Sequence, residues 1–243
     1  MSIRAELDQF GDEHFKELER EIYRKSLYHT AKYLLGMSDI NWRTHGQMIR
    51  DLEELEFREK GIANALIIMP RGSLKSSVGS TAFPIWRLLR DPNKRILIDS
   101  ATYDLSTQLV SAIAQHFESP SVTNLFGVFR TKDDWSSKSI TIAQRTKILK
   151  ESSVVASGVG SPKTGSHFDT IICDDLNNEK NSANPELMEK VYKHYQMNFA
   201  ILDPGGDMAV IATRYAALDV PGAILINEIG VDLLPDYLKS HAR

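Results

Sequence analysis

Apolar and polar positions follow two different patterns along the chain. Up to about residue 57, apolar residues mostly recur every three to five positions, which predicts amphipathic helices. From residue 65 onward, short apolar runs alternate with stretches of helical spacing. These runs indicate strands buried on both faces of a sheet. The alternation of strands and helices predicts right-handed crossovers and a mainly parallel sheet.

The pattern assigns four core strands and the helices that follow them. The strands are predicted at 65–69, 95–100, 168–175 and 208–213, and the helices at 76–89, 104–117, 184–199 and 220–229. Two further short runs, at 139–143 and 152–156, predict a hairpin or an edge pair. The helices before residue 60 are expected to pack on this core as an appendage, with an interruption at Gly11 and a helix cap at Thr44.

Composition narrows the classes of protein to consider. The 243 residues are 42% apolar and 25% charged, with a net charge of −3, which is typical of globular proteins and argues against coating nucleic acid by bulk attraction. The single cysteine, Cys173, rules out an internal disulfide. No apolar run reaches the roughly 20 residues that a membrane-spanning helix needs.

The segment after the first predicted strand has the features of a phosphate-binding loop. Backbone N–H groups and the positive end of a helix dipole converge there, and Lys75 and Ser76 add an ammonium and a hydroxyl. A standard G-x-x-x-x-G-K-[ST] loop has glycine where Met69 and Leu74 stand here. The residues predicted to bind phosphate are Arg71, Gly72, Ser73, Leu74, Lys75, Ser76 and Ser77.

A second set of candidate residues ends the strand near 170. Asp174 and Asp175 follow an apolar run that delivers them to the carboxyl edge of a parallel sheet, where ligands of open α/β sheets bind. Asp174 is predicted to hold magnesium with Ser76, and Asp175 to orient and deprotonate water. The alternative is that both acids cap a helix or face solvent. The order and spacing of loop and acids favour a magnesium-dependent phosphate site.

Other residues are weaker candidates. Thr213 ends a strand expected beside that of Asp174, where a hydroxyl can contact a γ-phosphate. Gln47 precedes the first strand and is a candidate for an adenine contact. Arg71 can supply positive charge from within the loop. Lys163 and Arg145 are candidates for a finger reaching a neighbouring subunit, although a solvated surface role is the alternative for each.

These residues resemble the ATPase domain of large terminase subunits, the DNA-packaging motors of tailed phages. The matching segments are 70–76, 95–102, 158–175 and 212–222. In the first, an arginine follows the strand, as in the variant phosphate loop of that family. In the last, Thr213-Arg-Tyr is followed by Asp219 and Gly222, similar to the coupling segment of the family. General P-loop proteins lack this last pattern, so it is the most informative match.

The resemblance implies a P-loop NTPase fold of the ASCE/RecA-like type, with an N-terminal helical appendage at 1–60 and an ATPase core at 61–243. It implies hydrolysis of ATP with Mg2+, driving double-stranded DNA into a procapsid in the host cytoplasm. Implied partners are the portal protein, the small terminase subunit and further copies in a ring, expected to be pentameric, with the isolated chain a possible monomer. By the same resemblance, Thr213 would couple hydrolysis to movement, and Arg71 would sense the γ-phosphate.

Departures from the family define the open alternatives. Leu74 replaces a small residue and is expected to crowd the phosphate or strain the backbone. Asp175 stands where many members have glutamate, so Glu179 is an alternative base, and Thr164 replaces an arginine. A C-terminal nuclease is expected to be absent, because few acids, among them Asp232 and Asp236, remain. Alternative functions are a helicase-like translocase, or a non-hydrolysing module that docks on DNA or the portal.

Overall fold

The computed structural model describes residues 3–57, 63–163 and 165–230. The predicted domain boundary at 60/61, Thr164, Asp232 and Asp236 lie outside these ranges. The described chain forms one six-stranded sheet in the order β1-β6-β5-β2-β4-β3, in which β3 pairs antiparallel with β4 and every other pair is parallel. The strands are β1 (Ala63–Ile68), β2 (Ile96–Ser100), β3 (Ser139–Ile140), β4 (Val154–Gly158), β5 (Phe168–Asp174) and β6 (Leu202–Ala212).

Helices cover both faces of this sheet; π-helical turns follow two of them and precede a third. They are α1 (Ile3–Lys25), α2 (Leu27–His29) continued by Thr30–Leu34, α3 (Trp42–Phe57), a π-helical segment (Ser77–Ala82) leading into α4 (Phe83–Arg90), α5 (Tyr103–Glu118), α6 (Pro120–Phe126), α7 (Pro185–Met197) with a 3-10 turn (Asn198–Ala200), and α8 (Val220–Ile224) continued by Leu225–Ile229. Within the described ranges, none of the helices has the length and apolarity to cross a bilayer.

Alternating strand residues build two separate hydrophobic cores. On β6, Ala209 and Ile211 face the core that holds α3, α4 and α5, whereas Met208 and Val210 face the core beside α7 and α8. This is the period-two alternation of a strand buried on both sides. The sequence prediction of a mainly parallel α/β sheet flanked by helices is therefore confirmed, as is the antiparallel pairing of the two short strands.

The structure corrects several local predictions. Helix α1 runs through Gly11 without interruption. Helix α3 begins before Thr44, and Asn41 caps it, because the Asn41 side chain accepts the Thr44 N–H at 2.9 Å. Helix α6 was not predicted. Strand β6 begins at Leu202 rather than 208, and a shift in its register with β5 accommodates the turn at Gly205, whose φ is +81°.

A buried arginine connects elements that are far apart in sequence. Arg87 on α4 is 1% exposed and forms ion pairs with Glu56 of α3 at 2.7 Å and Asp207 of β6 at 2.6 Å. Its guanidinium also donates to the Thr170 hydroxyl on β5 at 3.0 Å. Because burying a charge without partners is costly, this network favours one arrangement of α3 and α4 on the sheet.

Close approach of the backbone explains the glycine that ends β4. A Cβ atom added at Gly158 would lie 2.3 Å from the Tyr103 N and 2.7 Å from the Thr102 carbonyl carbon, at the start of α5. No side-chain rotation can relieve an overlap with backbone atoms. Gly160, two residues later, has open space around the position of an added Cβ, although its φ of +89° favours glycine.

We expect Gly158→Ala to lower the free energy of unfolding by about 3 kcal/mol, because α5 must move away from the sheet. The matched variant Gly160→Ala carries only the cost of a positive φ, about 1 kcal/mol. Urea denaturation followed by circular dichroism measures both. Equal losses in the two variants would contradict the close contact between β4 and α5.

Candidate functional site

The predicted phosphate loop connects β1 to the π-helical segment. Residues 69–74 form the turn, and Lys75 and Ser76 already have helical conformation. Gly72 has a φ of +76° and Leu74 a φ of +58°. The left-handed conformation is unfavourable for leucine. The Leu74 side chain is partly buried against the larger core. Leucine in place of the small residue of the family is therefore accommodated with a strained backbone at this position.

The loop and the two aspartates, distant in sequence, meet at the carboxyl edge of the sheet. The Lys75 Nζ lies 3.0 Å from Asp175 Oδ2. The Ser76 hydroxyl donates to Asp174 Oδ2 at 3.2 Å. Lys75 is 6% exposed and Asp174 is 8% exposed, so both charges are almost removed from water. The structure therefore brings together four of the residues that were predicted to act on phosphate and magnesium.

Ser80 is a contact of Asp174 that the sequence analysis missed. Its hydroxyl donates to Asp174 Oδ1 at 2.7 Å. Ser80 is four residues after Ser76, so the two hydroxyls occupy the same face of the helix, which is the signal that could have identified it. Burial raises the pKa of Asp174, and the nearby Asp175 charge raises it further, against the hydrogen bonds from Ser80 and Ser76.

Asp175 is held in an unusual conformation by the strand beside it. Its φ is +43°, and among the described residues only Leu74 and Asp175 are non-glycine residues with positive φ. The Asp175 N–H donates to the Ile211 carbonyl at 2.8 Å, and Asp175 Oδ1 accepts the Thr213 N–H at 2.7 Å. Strained residues persist only where surrounding contacts maintain them, and they are concentrated at functional sites.

Thr213 lies where the sequence predicted, at the end of the strand next to that of Asp174, directly after the last residue of β6. Strand β6 pairs with β5 on one side and with β1 on the other. The Thr213 hydroxyl donates to the Met69 carbonyl at 3.3 Å, at the start of the phosphate loop. Thr213 therefore connects the loop after β1 to Asp175 after β5.

Arg71 forms an exposed contact between two loops. Its guanidinium donates to the Tyr215 hydroxyl at 2.7 Å, lies 5.0 Å from the centre of the Tyr215 ring, and is 3.2 Å from Glu179 Oε1. The side chains of Arg71 and Glu179 are 62% and 78% exposed. The two candidate bases thus differ in environment: Asp175 contacts Lys75 and Thr213, whereas Glu179 pairs with Arg71 near solvent.

The segment after Thr213 is ordered by a buried aspartate. Asp219 caps α8 by accepting the Gly222 N–H at 2.9 Å, and it also accepts the Tyr215 N–H at 2.7 Å. The Val220 N–H donates to Asn177 Oδ1 at 2.7 Å. This last bond joins the loop after β6 to the loop after β5. The bonds of Asp219 to Gly222 and Tyr215 fix the backbone conformation beside Tyr215.

Helix α3 contributes a histidine to the loop, which the sequence analysis did not identify. His45 is 2% exposed, and its Nε2 lies 2.9 Å from the Ser73 carbonyl oxygen. The available signal was its position three and four residues before the buried Met48 and Ile49, which places it on the apolar face of α3.

Gln47 occupies a different face of the same helix. It is exposed, its side-chain amide donates to Asp51 at 2.8 Å, and its Oε1 accepts from Arg50 at 2.8 Å. Two residues along a helix correspond to about 200° of rotation, so the side chains of Gln47 and His45 lie on nearly opposite faces of α3. An adenine contact at Gln47 stays a prediction.

Lys163 does not have the exposed position that a finger to a neighbouring subunit needs. It is 6% exposed, and its ammonium contacts Asp99 at 2.6 Å, His194 at 2.7 Å and Asn198 at 2.7 Å. The interpretation of Lys163 as a finger is therefore wrong for this conformation. These contacts attach the loop that contains Lys163 to the face of the sheet that α7 covers.

Arg145 is also remote from the candidate site. Its guanidinium donates to the Glu151 carbonyl at 2.7 Å, just before β4 begins. Because the core strands are parallel, this position is at the amino edge of the sheet, opposite the phosphate loop. Arg145 cannot act on the phosphate site of its own chain, and its role as a finger to a neighbour stays untested.

The residues at the carboxyl edge suit a phosphate chain with magnesium. Asp174 and Asp175 carry two negative charges against the one positive charge of Lys75, which leaves room for a further cation. Among the described residues, no group of three or more His, Cys, Asp or Glu side chains could hold a metal. Magnesium is commonly bound by one or two carboxylates together with phosphates and water. Ser76 and Asp174 are the residues that would hold it.

No protein-family model and no curated protein sequence matches the chain. The functional argument therefore depends on the residues and their geometry.

The Lys163 cluster allows a test of stability against pH. Burial alone would raise the pKa of Asp99, but the hydrogen bond from His194 and the Lys163 charge outweigh it and hold the pKa at about 2. A carboxylate whose pKa is lower in the folded state stabilises the fold above its unfolded pKa of about 3.9. That stabilisation is lost as the pH falls from about 4 towards 2.

We expect Asp99→Asn to lower the free energy of unfolding by about 3 kcal/mol at neutral pH, because Lys163 is left buried without its carboxylate. The difference from wild type should shrink by about 2 kcal/mol between about pH 5 and pH 2. Denaturant titrations across this range measure it, with the exposed Asp133→Asn as the control. A difference that is independent of pH would contradict the low pKa of Asp99.

Proposed function

We propose that the chain binds ATP with magnesium at the carboxyl edge of the sheet and hydrolyses it. The observation that carries the proposal is the contact of Lys75 with Asp175 and of Ser76 with Asp174, across about 100 residues of sequence. A further observation supports it: the strained residues Leu74 and Asp175 both lie at this point. A general structural role does not require a buried lysine, two acids and two strained backbones together.

Each residue has a role that follows from its position. Lys75 supplies a fixed positive charge, and the backbone N–H groups of the loop and first helical turn supply hydrogen-bond donors to phosphate. Ser76 and Asp174 hold magnesium, which when bound neutralises charge on the phosphate oxygens. Asp175 is the favoured base, because it is the less exposed of the two candidates and three contacts fix it. Glu179 remains the alternative.

The order of the strands supports the more specific part of the proposal. One strand, β6, separates the strand before the phosphate loop from the strand that ends in the acids. This arrangement is expected for the additional-strand P-loop fold that the resemblance implies. We therefore propose a motor domain of the large terminase type, which uses ATP to move double-stranded DNA into a procapsid. Thr213 connects the loop to Asp175 and is the residue proposed to transmit hydrolysis.

We expect Lys75→Ala to lower the ATP hydrolysis rate at least about 100-fold, because a fixed charge facing the phosphate is lost. Phosphate release measured with magnesium and ATP tests this, and the exposed Lys132→Ala is the control. Rates are compared at several protein concentrations, because a ring neighbour can contribute to turnover. Equally slow turnover in wild type and Lys75→Ala would contradict hydrolysis and favour the docking alternative. Stimulation by double-stranded but not single-stranded DNA would separate a packaging motor from a helicase-like translocase.

The identity of the base is tested by a pair of isosteric variants. We expect Asp175→Asn to abolish turnover while nucleotide affinity stays within a few-fold of wild type, because the amide cannot accept a proton. Glu179→Gln should keep most of the activity. Single-turnover rates and equilibrium binding of ATP measure the two effects separately. Retained turnover in Asp175→Asn, with loss in Glu179→Gln, would transfer the role to Glu179.

A further inference from the structure

His45 makes a hydrogen bond whose direction is fixed by chemistry. Its Nε2 lies 2.9 Å from the Ser73 carbonyl oxygen, which can only accept. The Nε2 must therefore carry the hydrogen. The other ring nitrogen, Nδ1, lies 3.1 Å from the Asn41 N and 3.0 Å from the Asn41 O. A neutral ring accepts from the Asn41 N–H and a charged ring donates to the Asn41 O, so Nε2 is a donor in both states.

This bond controls one peptide unit of the loop. Among the described residues no peptide bond is cis, and in a trans peptide the N–H points opposite to the carbonyl oxygen. His45 holds the Ser73 oxygen towards α3, so the N–H of Leu74 points away from α3. The same peptide unit precedes the left-handed conformation of Leu74. The position of the ring is fixed, because the ring is buried and the Asn41 backbone contacts its other nitrogen, while the Asn41 side chain caps α3.

We propose that His45 is a positioning residue for phosphate: it orients the Ser73–Leu74 peptide so that the Leu74 N–H is available to the β-phosphate of a bound nucleotide. The inference rests on the proposed nucleotide site and adds a contact that sets its affinity. In a standard phosphate loop, glycine at this point reaches the required conformation without strain. Here the residue is leucine, and an outside hydrogen bond maintains the conformation instead.

Two substitutions that differ by one methylene test the proposal. In His45→Gln the amide nitrogen can take the place of Nε2 and donate to Ser73, whereas in His45→Asn the shorter side chain cannot reach it. We expect magnesium-ADP to bind His45→Gln within about twofold of wild type. We expect about tenfold weaker binding to His45→Asn, since one oriented donor is lost and a buried carbonyl loses its partner. Isothermal titration calorimetry measures both.

AMP, which lacks the β-phosphate, distinguishes positioning from a general structural role. Its affinity, measured by competition, should change less than twofold in His45→Asn. Equal losses for ADP and AMP, or no loss for ADP, would overturn the proposal. Lys75→Ala is measured in parallel: if it loses ADP binding while His45→Asn keeps it, the inference fails and the nucleotide site stands. If wild type binds no nucleotide, the proposed function itself fails.

A second measurement does not depend on the variants folding. Nitrogen-15 NMR of the wild-type chain reports which ring nitrogen of His45 carries hydrogen. We expect Nε2 to be protonated. A ring protonated only at Nδ1 would leave the Ser73 carbonyl without its donor and would overturn the proposal.

Discussion

The ion pair between Lys75 and Asp175 joins two segments of the chain, each of which contains a residue in an unfavourable backbone conformation. Leu74, directly before the lysine, and Asp175 itself have positive φ values, which cost about 1–2 kcal/mol each. Several contacts maintain them. The Leu74 carbonyl accepts the Val78 N–H at 3.0 Å, and the Asp175 backbone and side chain are both bound to residues of or just after β6. Strand β6 is therefore the element on which the geometry of the site depends.

Buried charged side chains on both faces of the sheet help to fix the positions of the strands that form the site. On one face, Arg87 bridges α3 and β6 through Glu56 and Asp207. On the other, Asp99 lies beside Cys173 in the register of β2 and β5, one residue before Asp174. Asn198 contacts both Asp99 and Cys173. Because such groups tolerate few alternative partners, they favour the one strand order that brings the acids to the loop.

The sequence predicted those parts of the structure that have a local signal. The apolar runs located the core strands because strands buried on both faces are continuously apolar, and the order of strands and helices predicted the parallel sheet. The ends of those strands then located Lys75, Ser76, Asp174 and Asp175. The interpretation of Lys163 was wrong because its surroundings in sequence are typical of an exposed loop. Its partners, Asp99 and His194, are brought to it only by the strand order.

His45 and Ser80 were missed for a related reason: each acts through a partner far away in sequence, so that neither belongs to a recognisable motif. The first half of β6 was not predicted, because it contains Pro204 and Gly205, which usually end strands. Here an irregularity in the pairing of β6 with β5 accommodates them. The sequence does not show which distant residues contact each other, and such contacts make up most of the candidate site.

The contacts of Arg71 relate the phosphate loop to both of the loops that follow the central strands. Its guanidinium binds Tyr215 after β6 and Glu179 after β5, and Asn177 and Val220 join those two loops to each other. These contacts are exposed, and exposed ion pairs contribute little stability, so Arg71 can leave them at small cost. If Arg71 turns to a γ-phosphate, as the family resemblance implies, both loops lose a shared partner at once. The segment 213–219 would then respond to the phosphate through Arg71 as well as through Thr213, and the two routes start from the same loop.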